Sequence, residues 1–289
     1  MGPAIARSLR IRQWLKNSVV FAPLVFSGRG FDGPSVVDAS LAAAGFCLAS
    51  SGIYVLNDIV DRRLDRFHPV KRTRPVASGA LPLPAAWMLA LALMGGGWGL
   101  SGWVHPALGL TVLVYLLLNL AYSAWFKRLV ILDVLVLSVG FVVRIWGGAV
   151  VLNLIPSHWL QLSMFFLALF LSLAKRRQEL TILHANALRH RGVLSDYSPA
   201  FIDQLTSILT AVAILCYALY AVSPDVTRRV GSSGFIYTVP LVIYGVFRYL
   251  YLVHIRKGAL DPTDALLSDG PMLVSVIAWG LSILWILYR

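Results

Sequence analysis

Three aspartates and an asparagine crowd one short stretch of an acid-poor chain, Asn57-Asp58-Ile59-Val60-Asp61-Arg62-Arg63-Leu64-Asp65, directly after an apolar run that ends at Leu56. If a helix continues through it, Asp58, Asp61 and Asp65 fall at i, i+3 and i+7, with Asn57 four residues before Asp61, so all four share one face. Carboxylates that close repel one another unless cations compensate them. Hard oxygen ligands suit Mg²⁺, which keeps several waters and takes one or two carboxylates together with substrate phosphate oxygens. Asn57, Asp58, Asp61 and Asp65 are therefore the candidate metal ligands. The competing reading is a solvated turn in which the aspartates pair with Arg62, Arg63 and Arg66.

Cations follow at once in His68-Pro69-Val70-Lys71-Arg72-Thr73-Arg74-Pro75-Val76-Ala77-Ser78-Gly79, where prolines and glycine favour a structured loop. Lys71, Arg72 and Arg74 beside the acids give adjacent cation and anion sites, as a Mg²⁺-phosphate substrate requires. A second polar cluster, Tyr122-Ser123-Ala124-Trp125-Phe126-Lys127-Arg128, leads to Asp133 inside an apolar run. An unpaired charge there costs on the order of 3 kcal/mol or more, so Asp133 needs a partner or a metal. Arg144 lies deeper on the same stretch, with a substrate phosphate and an interhelical salt bridge as competing partners. The third cluster is Lys175-Arg176-Arg177-Gln178-Glu179-Leu180, with Tyr197 farther along the loop. Glu179 among three cations could orient them towards a phosphate, while snorkelling explains part of their basicity. His184 and His190 have no partner at metal-ligand spacing and read as loop residues.

Placing these groups is the task of a membrane bundle. Of 289 residues, 58% are hydrophobic and only 13% charged, which leaves too little polar surface for a soluble globule. Spans of roughly 20 apolar residues are expected near 15–28, 36–56, 85–103, 106–124, 130–151, 158–174, 202–222, 235–254 and 271–288. That is about nine, in an all-α integral membrane bundle forming one domain over 1–289. Arg7, Arg10, Arg12 and Lys16 precede the first span without a small-residue cleavage pattern, so no cleavable leader is expected. Cys47 and Cys216 sit in apolar spans, far apart, as small core residues.

The formal charge of +12 fixes an orientation, because 19 of the 25 basic residues fall in the N-terminal segment and the long loops of one side. Arg29, Arg228, Arg229 and Arg289 mark the other. The positive-inside rule puts the N-terminus and the chemical clusters in the cytoplasm, in a cytoplasmic (inner) membrane. Anionic lipid or a phosphorylated substrate explains the charge better than nucleic acid, since spans interrupt the basic loops and acids match them.

The segments NDIVDRRLD (57–65) and YSAWFKRLVILD (122–133), with the span count, resemble the UbiA-type polyprenyl transferase superfamily over essentially the whole chain. Within it, RQWLKN (12–17), FAPLVFSG (21–28), HPVKRTRPVASG (68–79), RIWGGAV (144–150) and AKRRQEL (174–180) resemble the decaprenyl-phosphate phosphoribosyltransferase branch. The resemblance implies transfer of 5-phosphoribose from phosphoribosyl pyrophosphate to a polyprenyl phosphate, on the way to a lipid-linked arabinose donor for cell-envelope polysaccharide. It implies Mg²⁺, with Mn²⁺ able to replace it. Asp58, Asp61, Lys71, Arg74, Lys127 and Asp133 are then the expected catalytic residues. Arg12, Lys16, Asn57, Asp65, His68, Arg72, Tyr122, Arg144, Lys175, Arg176, Glu179 and Tyr197 are expected to bind substrate, Arg12 and Lys16 at the lipid phosphate. Enzymes that ionise a prenyl diphosphate resemble one another in carrying two aspartate-rich motifs, whereas the second cluster here offers Asp133 alone. Prenyl transfer to an aromatic or haem-type acceptor is the first alternative, and a transporter or lipid-binding protein the second.

Overall fold

A computed structural model of the chain describes the backbone of residues 2–30, 32–67, 70–183, 196–230, 232–255 and 262–289, and their side chains except at 181–183, 229–230 and 262–263. Every regular element among the described residues is helical. Eight helical stretches are long and apolar enough to cross a bilayer. They are α1 (Gly33–Val60), α2 (Leu83–Val104), α3 (Pro106–Ala124), α4 (Leu132–Val151), α5 (His158–Leu183), α6 (Pro199–Val222), α7 (Val239–His254, lengthened by the tight turn Gly234–Thr238) and α8 (Gly270–Tyr288).

Their starts follow a repeated local rule. Proline stands in the first turn of α1, α2, α3, α6, α7 and α8, where its missing N–H costs no helical bond. Before α1, α6 and α8 an Asp or Ser side chain also accepts from an otherwise orphaned amide: Asp32 from Ser35 (3.1 Å), Ser198 from Phe201 (3.1 Å) and Asp269 from Met272 (3.0 Å).

The ninth expected span, near 15–28, is divided. A short helix Gly2–Leu9 is followed by Arg10 in the left-handed region (φ 52°), a tightly wound Ile11–Phe21 and a five-residue helix Ala22–Phe26. Pro23 removes a donor from any continuous α-helical ladder here, and Gly28 (φ 76°) turns the chain.

The chain forms two compact units. The first comprises Met1–Leu24, Asp32–Lys127 and Val143–Ile155, the second Val25–Phe31, Arg128–Val142 and Pro156–Arg289, so α4 begins in the second and ends in the first. In the first unit α1 and α2 meet through small residues: a Cβ on Gly97 would lie 2.7 Å from the Gly45 carbonyl oxygen and the Ala49 nitrogen. Such close approach gives membrane helices their dispersion contacts where no hydrophobic drive exists between them. Gly148 is tighter still, a Cβ there falling 1.8 Å from the Val20 carbonyl oxygen. Val20, Phe46, Ile53, Leu108, Val112 and Tyr115 fill the core. The second unit packs Phe170, Leu173, Ile202, Tyr249 and Leu252 into its own core.

Candidate active site

The acidic cluster lies where α1 ends. The helix breaks at Asp61 (φ −88°, ψ 6°) and a one-turn helix Arg62–Asp65 follows, so Asp65 does not simply extend the face of Asp58. Each carboxylate is held by a cation from outside the acidic segment. Arg74 is extended (ψ 141°), as the residue before a proline must be, and its Nη1 donates to Asp58 Oδ1 at 3.0 Å and Asp65 Oδ2 at 2.8 Å. Arg10 donates to the same Asp58 oxygen. Lys127, in the turn after α3, bonds Asp61 Oδ1 at 2.8 Å, and Ser123 donates to Asn57 Oδ1 at 2.6 Å.

Arg62 and Arg66 act elsewhere. Their Nε atoms donate to the carbonyls of Val76 (3.2 Å) and Ala77 (3.1 Å), fastening the Lys71–Ser78 segment beside the cluster. Arg62 and Arg66 are thus spent on backbone, and Arg10, Arg74 and Lys127 neutralise the acids instead. Asp58 and Asp65 are buried, whereas the Asp61 side chain is 33% exposed and is the carboxylate open to a ligand.

The donor chemistry suits Mg²⁺, being all hard oxygen, but the described residues contain no group of three or more His, Cys, Asp or Glu side chains arranged to hold a metal. Asp65 is bridged to Arg74, and the Asn57 oxygen accepts from Ser123. Asn57, Asp58, Asp61 and Asp65 therefore form no protein-only cage. Their arrangement suits an ion that brings its own phosphate and water ligands.

Around this cluster, Lys71 is half-buried and Arg72 exposed on the turn Lys71–Thr73, Tyr122 is buried next to Ser123, and His68 lies outside the described residues, as do His184 and His190. On Ile11–Phe21, Arg12 is exposed and Lys16 half-buried. Arg144 sits in the core of the first unit. Its Nε donates to Asn17 Oδ1 (2.7 Å) and its Nη2 to the Tyr115 hydroxyl (2.9 Å), with the guanidinium 4.6 Å from the Tyr115 ring centroid. Asn17 in turn reaches Ser50 Oγ and Cys47 Sγ, each at 3.2 Å. This is a buried network that ties α4 to α1, α3 and the N-terminal segment.

The second unit brings the other singled-out residues together. Asp133, fully buried in the first turn of α4, accepts from Arg176 Nε (2.8 Å) and from the Tyr197 hydroxyl (2.8 Å). Arg176 Nη1 reaches Glu179 at 2.7 Å, so its guanidinium lies between two carboxylates. Tyr197 also accepts from the Ile131 amide at 2.7 Å. Ile131 is β-branched yet holds φ 70°, a conformation that persists only where its surroundings enforce it. Burial, then the bond to Asp133, push the Tyr197 phenol well above its ordinary pKa, so it remains a protonated donor. Lys175 is half-buried next to Arg176. Arg177 instead bonds Asp203 (3.0 Å), which His254 also approaches at 3.3 Å.

Sequence reasoning missed Arg10 as a partner of Asp58, and Asp203 with His254. Arg10 and Asp58 are 48 residues apart, and no local spacing links them.

The chain is 31% identical over 284 residues to a decaprenyl-phosphate phosphoribosyltransferase of Mycolicibacterium smegmatis, covering 95% of this chain and 89% of that one. It is 32% identical to the nodulation protein NoeC of Azorhizobium caulinodans, covering 96% and 92%. In fold it resembles a UbiA homolog from Archaeoglobus fulgidus bound to DMAPP and Mg²⁺, with a TM-score of 0.72 at 18% identity over 97% of this chain and 99% of that one. The model of the UbiA prenyltransferase family matches residues 18–269, through both units, and the chain belongs to that family.

Proposed function

We propose that this chain transfers the 5-phosphoribosyl group of phosphoribosyl pyrophosphate to a polyprenyl phosphate of the decaprenyl type, releasing pyrophosphate. The observation that carries this reading is the similarity, over nearly the whole chain, to relatives named decaprenyl-phosphate phosphoribosyltransferase. The site chemistry supports it. The second unit offers Arg176 braced by Asp133 and Glu179, with Tyr197 bonded to Asp133, a group centred on a cation rather than a second aspartate-rich metal motif.

The reaction is displacement at the ribose anomeric carbon through an oxocarbenium-like transition state. Mg²⁺, held by Asp61 and Asp58, would supply charge neutralisation to the departing pyrophosphate. Lys127 and Arg74 stand beside those acids and would bind donor phosphates, with Asp65 fixing Arg74. Lys71 and Arg72 would add cations for the 5-phosphate that distinguishes this donor from a prenyl diphosphate; within the second unit Arg176 and Lys175 are the candidate phosphate-binding cations. The acceptor phosphate, with a second pKa of about 6, is largely ionised at neutral pH, so no general base is needed. Arg12 and Lys16 would hold it. Asp133 and Tyr197 act by positioning Arg176.

In this reading the whole chain works as one membrane domain with its clusters on the cytoplasmic side of the inner membrane, which the basic loops support. The product would feed a lipid-linked arabinose donor for a cell-envelope polysaccharide. The test is purified protein in detergent with labelled phosphoribosyl pyrophosphate, polyprenyl phosphate and Mg²⁺. An organic-soluble labelled product that EDTA prevents is expected. Consumption of a prenyl diphosphate with phosphoribosyl pyrophosphate ignored would replace this reading with prenyl transfer.

A further inference from the structure

Arg10 lies upstream of the span that the family model covers, yet it is delivered to the centre of the acidic cluster by a built track. Ser51 Oγ donates to the Leu9 carbonyl at 2.9 Å and accepts from Trp14 Nε1 at 3.0 Å, tying the Leu9 backbone and the Trp14 side chain, on either side of Arg10, to α1. Ser51, Tyr54 and Asp58 follow at i, i+3 and i+7 along one face of that helix. The Arg10 guanidinium passes 5.1 Å over the Tyr54 ring and ends on Asp58 Oδ1, an oxygen it shares with Arg74. Its own backbone is left-handed, which a non-glycine residue adopts when its surroundings impose it.

In the cluster's ion pairs among the described residues, Arg10, Arg74 and Lys127 already compensate Asp58, Asp61 and Asp65. A divalent cation arriving alone would leave uncompensated positive charge at a buried carboxylate, whereas one arriving with a diphosphate brings its own compensation. We propose that Arg10 is an internal counter-cation that occupies Asp58 until metal and donor arrive together, and thereafter lends its charge to the donor phosphates. The inference rests on the metal-dependent reading above and adds to it an order: the metal does not load without the donor.

Mn²⁺ binding followed by electron paramagnetic resonance on the purified protein tests this, with and without phosphoribosyl pyrophosphate. The parent protein should bind Mn²⁺ weakly alone and more tightly with the donor. Arg10→Gln should bind donor-free Mn²⁺ at least about tenfold tighter, as removal of a like charge at a partly buried site implies, while its KM for the donor rises. Arg10→Lys, which keeps the charge, should restore parent behaviour. Ser51→Ala, which loosens the clamp and leaves Arg10 in place, should shift donor-free binding in the same direction by less, and serves if Arg10→Gln fails to fold. Unchanged donor-free affinity in the Arg10→Gln or Ser51→Ala proteins, or Arg10→Lys behaving like Arg10→Gln, overturns the counter-cation role alone. Absence of Mn²⁺ binding to the parent protein even with donor overturns the metal reading itself, and this inference with it.

Discussion

Asp58, Asp61 and Asp65 share a chemistry but not an environment. Asp61 is a third exposed and held by one flexible lysine, while Asp65 is buried against Arg74. Asp61→Asn is expected to lower kcat/KM with Mg²⁺ by about 100-fold or more, the scale of losing a group that acts on developing charge, with little change in unfolding temperature. Asp65→Asn is expected to cost about 2–3 kcal/mol of stability, because it strips a buried partner from Arg74. Activity assays beside thermal unfolding in detergent separate the two; equal stability losses would contradict the distinction. At this scale the acids were legible from composition alone, since carboxylates are rare in this chain. Of their cations, Arg74 and Lys127 stand in basic segments that the sequence singles out, whereas the pairing of Arg10 was not legible, because 48 residues separate it from Asp58 and only the fold closes that distance. Asp133, Arg176, Glu179 and Tyr197 were each visible as oddities in apolar or basic surroundings, and their meeting was not.

Helices were readable because hydropathy and proline placement set them locally. The span expected at 106–124 coincides with α3, and the other long helices begin and end within a few residues of expectation, apart from the end of α5, which runs on to Leu183. The span near 15–28 is divided, because its apolar residues wind into short, tight pieces that hydropathy does not distinguish from one helix. What fixes those pieces is contact, above all Gly148 under Val20. Gly148→Ala would drive a methyl group into the Val20 carbonyl and is expected to destabilise by about 2 kcal/mol or more, disturbing the Asn17–Arg144 link as well. Gly95→Ala, where a Cβ meets nothing within 4 Å, should be neutral or slightly stabilising. Thermal unfolding of the two variants side by side checks this; similar melting temperatures would contradict the packing.

Across the whole molecule, the bilayer decides which loops can carry the chemistry. The proposed orientation, drawn from the positive charge that gathers with the acidic cluster, puts both on the cytoplasmic face and the short helix Pro224–Val230 on the other. Single cysteines placed at the exposed Arg72 and Arg228 should label oppositely with a membrane-impermeant maleimide: Arg228→Cys in intact cells, Arg72→Cys only after permeabilisation. The reverse pattern would put the site on the wrong side for a cytoplasmic phosphorylated donor. Substrate identity lies beyond what composition or spacing can express, since a cation cluster reads the same to any phosphate; here it came from motifs that agree over the length of the chain.

The most direct measurement follows two labels through one turnover, phosphoribosyl pyrophosphate carrying one isotope in its 5-phosphate and another in its diphosphate. Phosphoribosyl transfer sends the 5-phosphate label into the organic phase with the polyprenyl phosphate and leaves the diphosphate label in water, in equal amounts. Diphosphate label in the lipid, or neither label there in the presence of Mg²⁺ and acceptor, would contradict it.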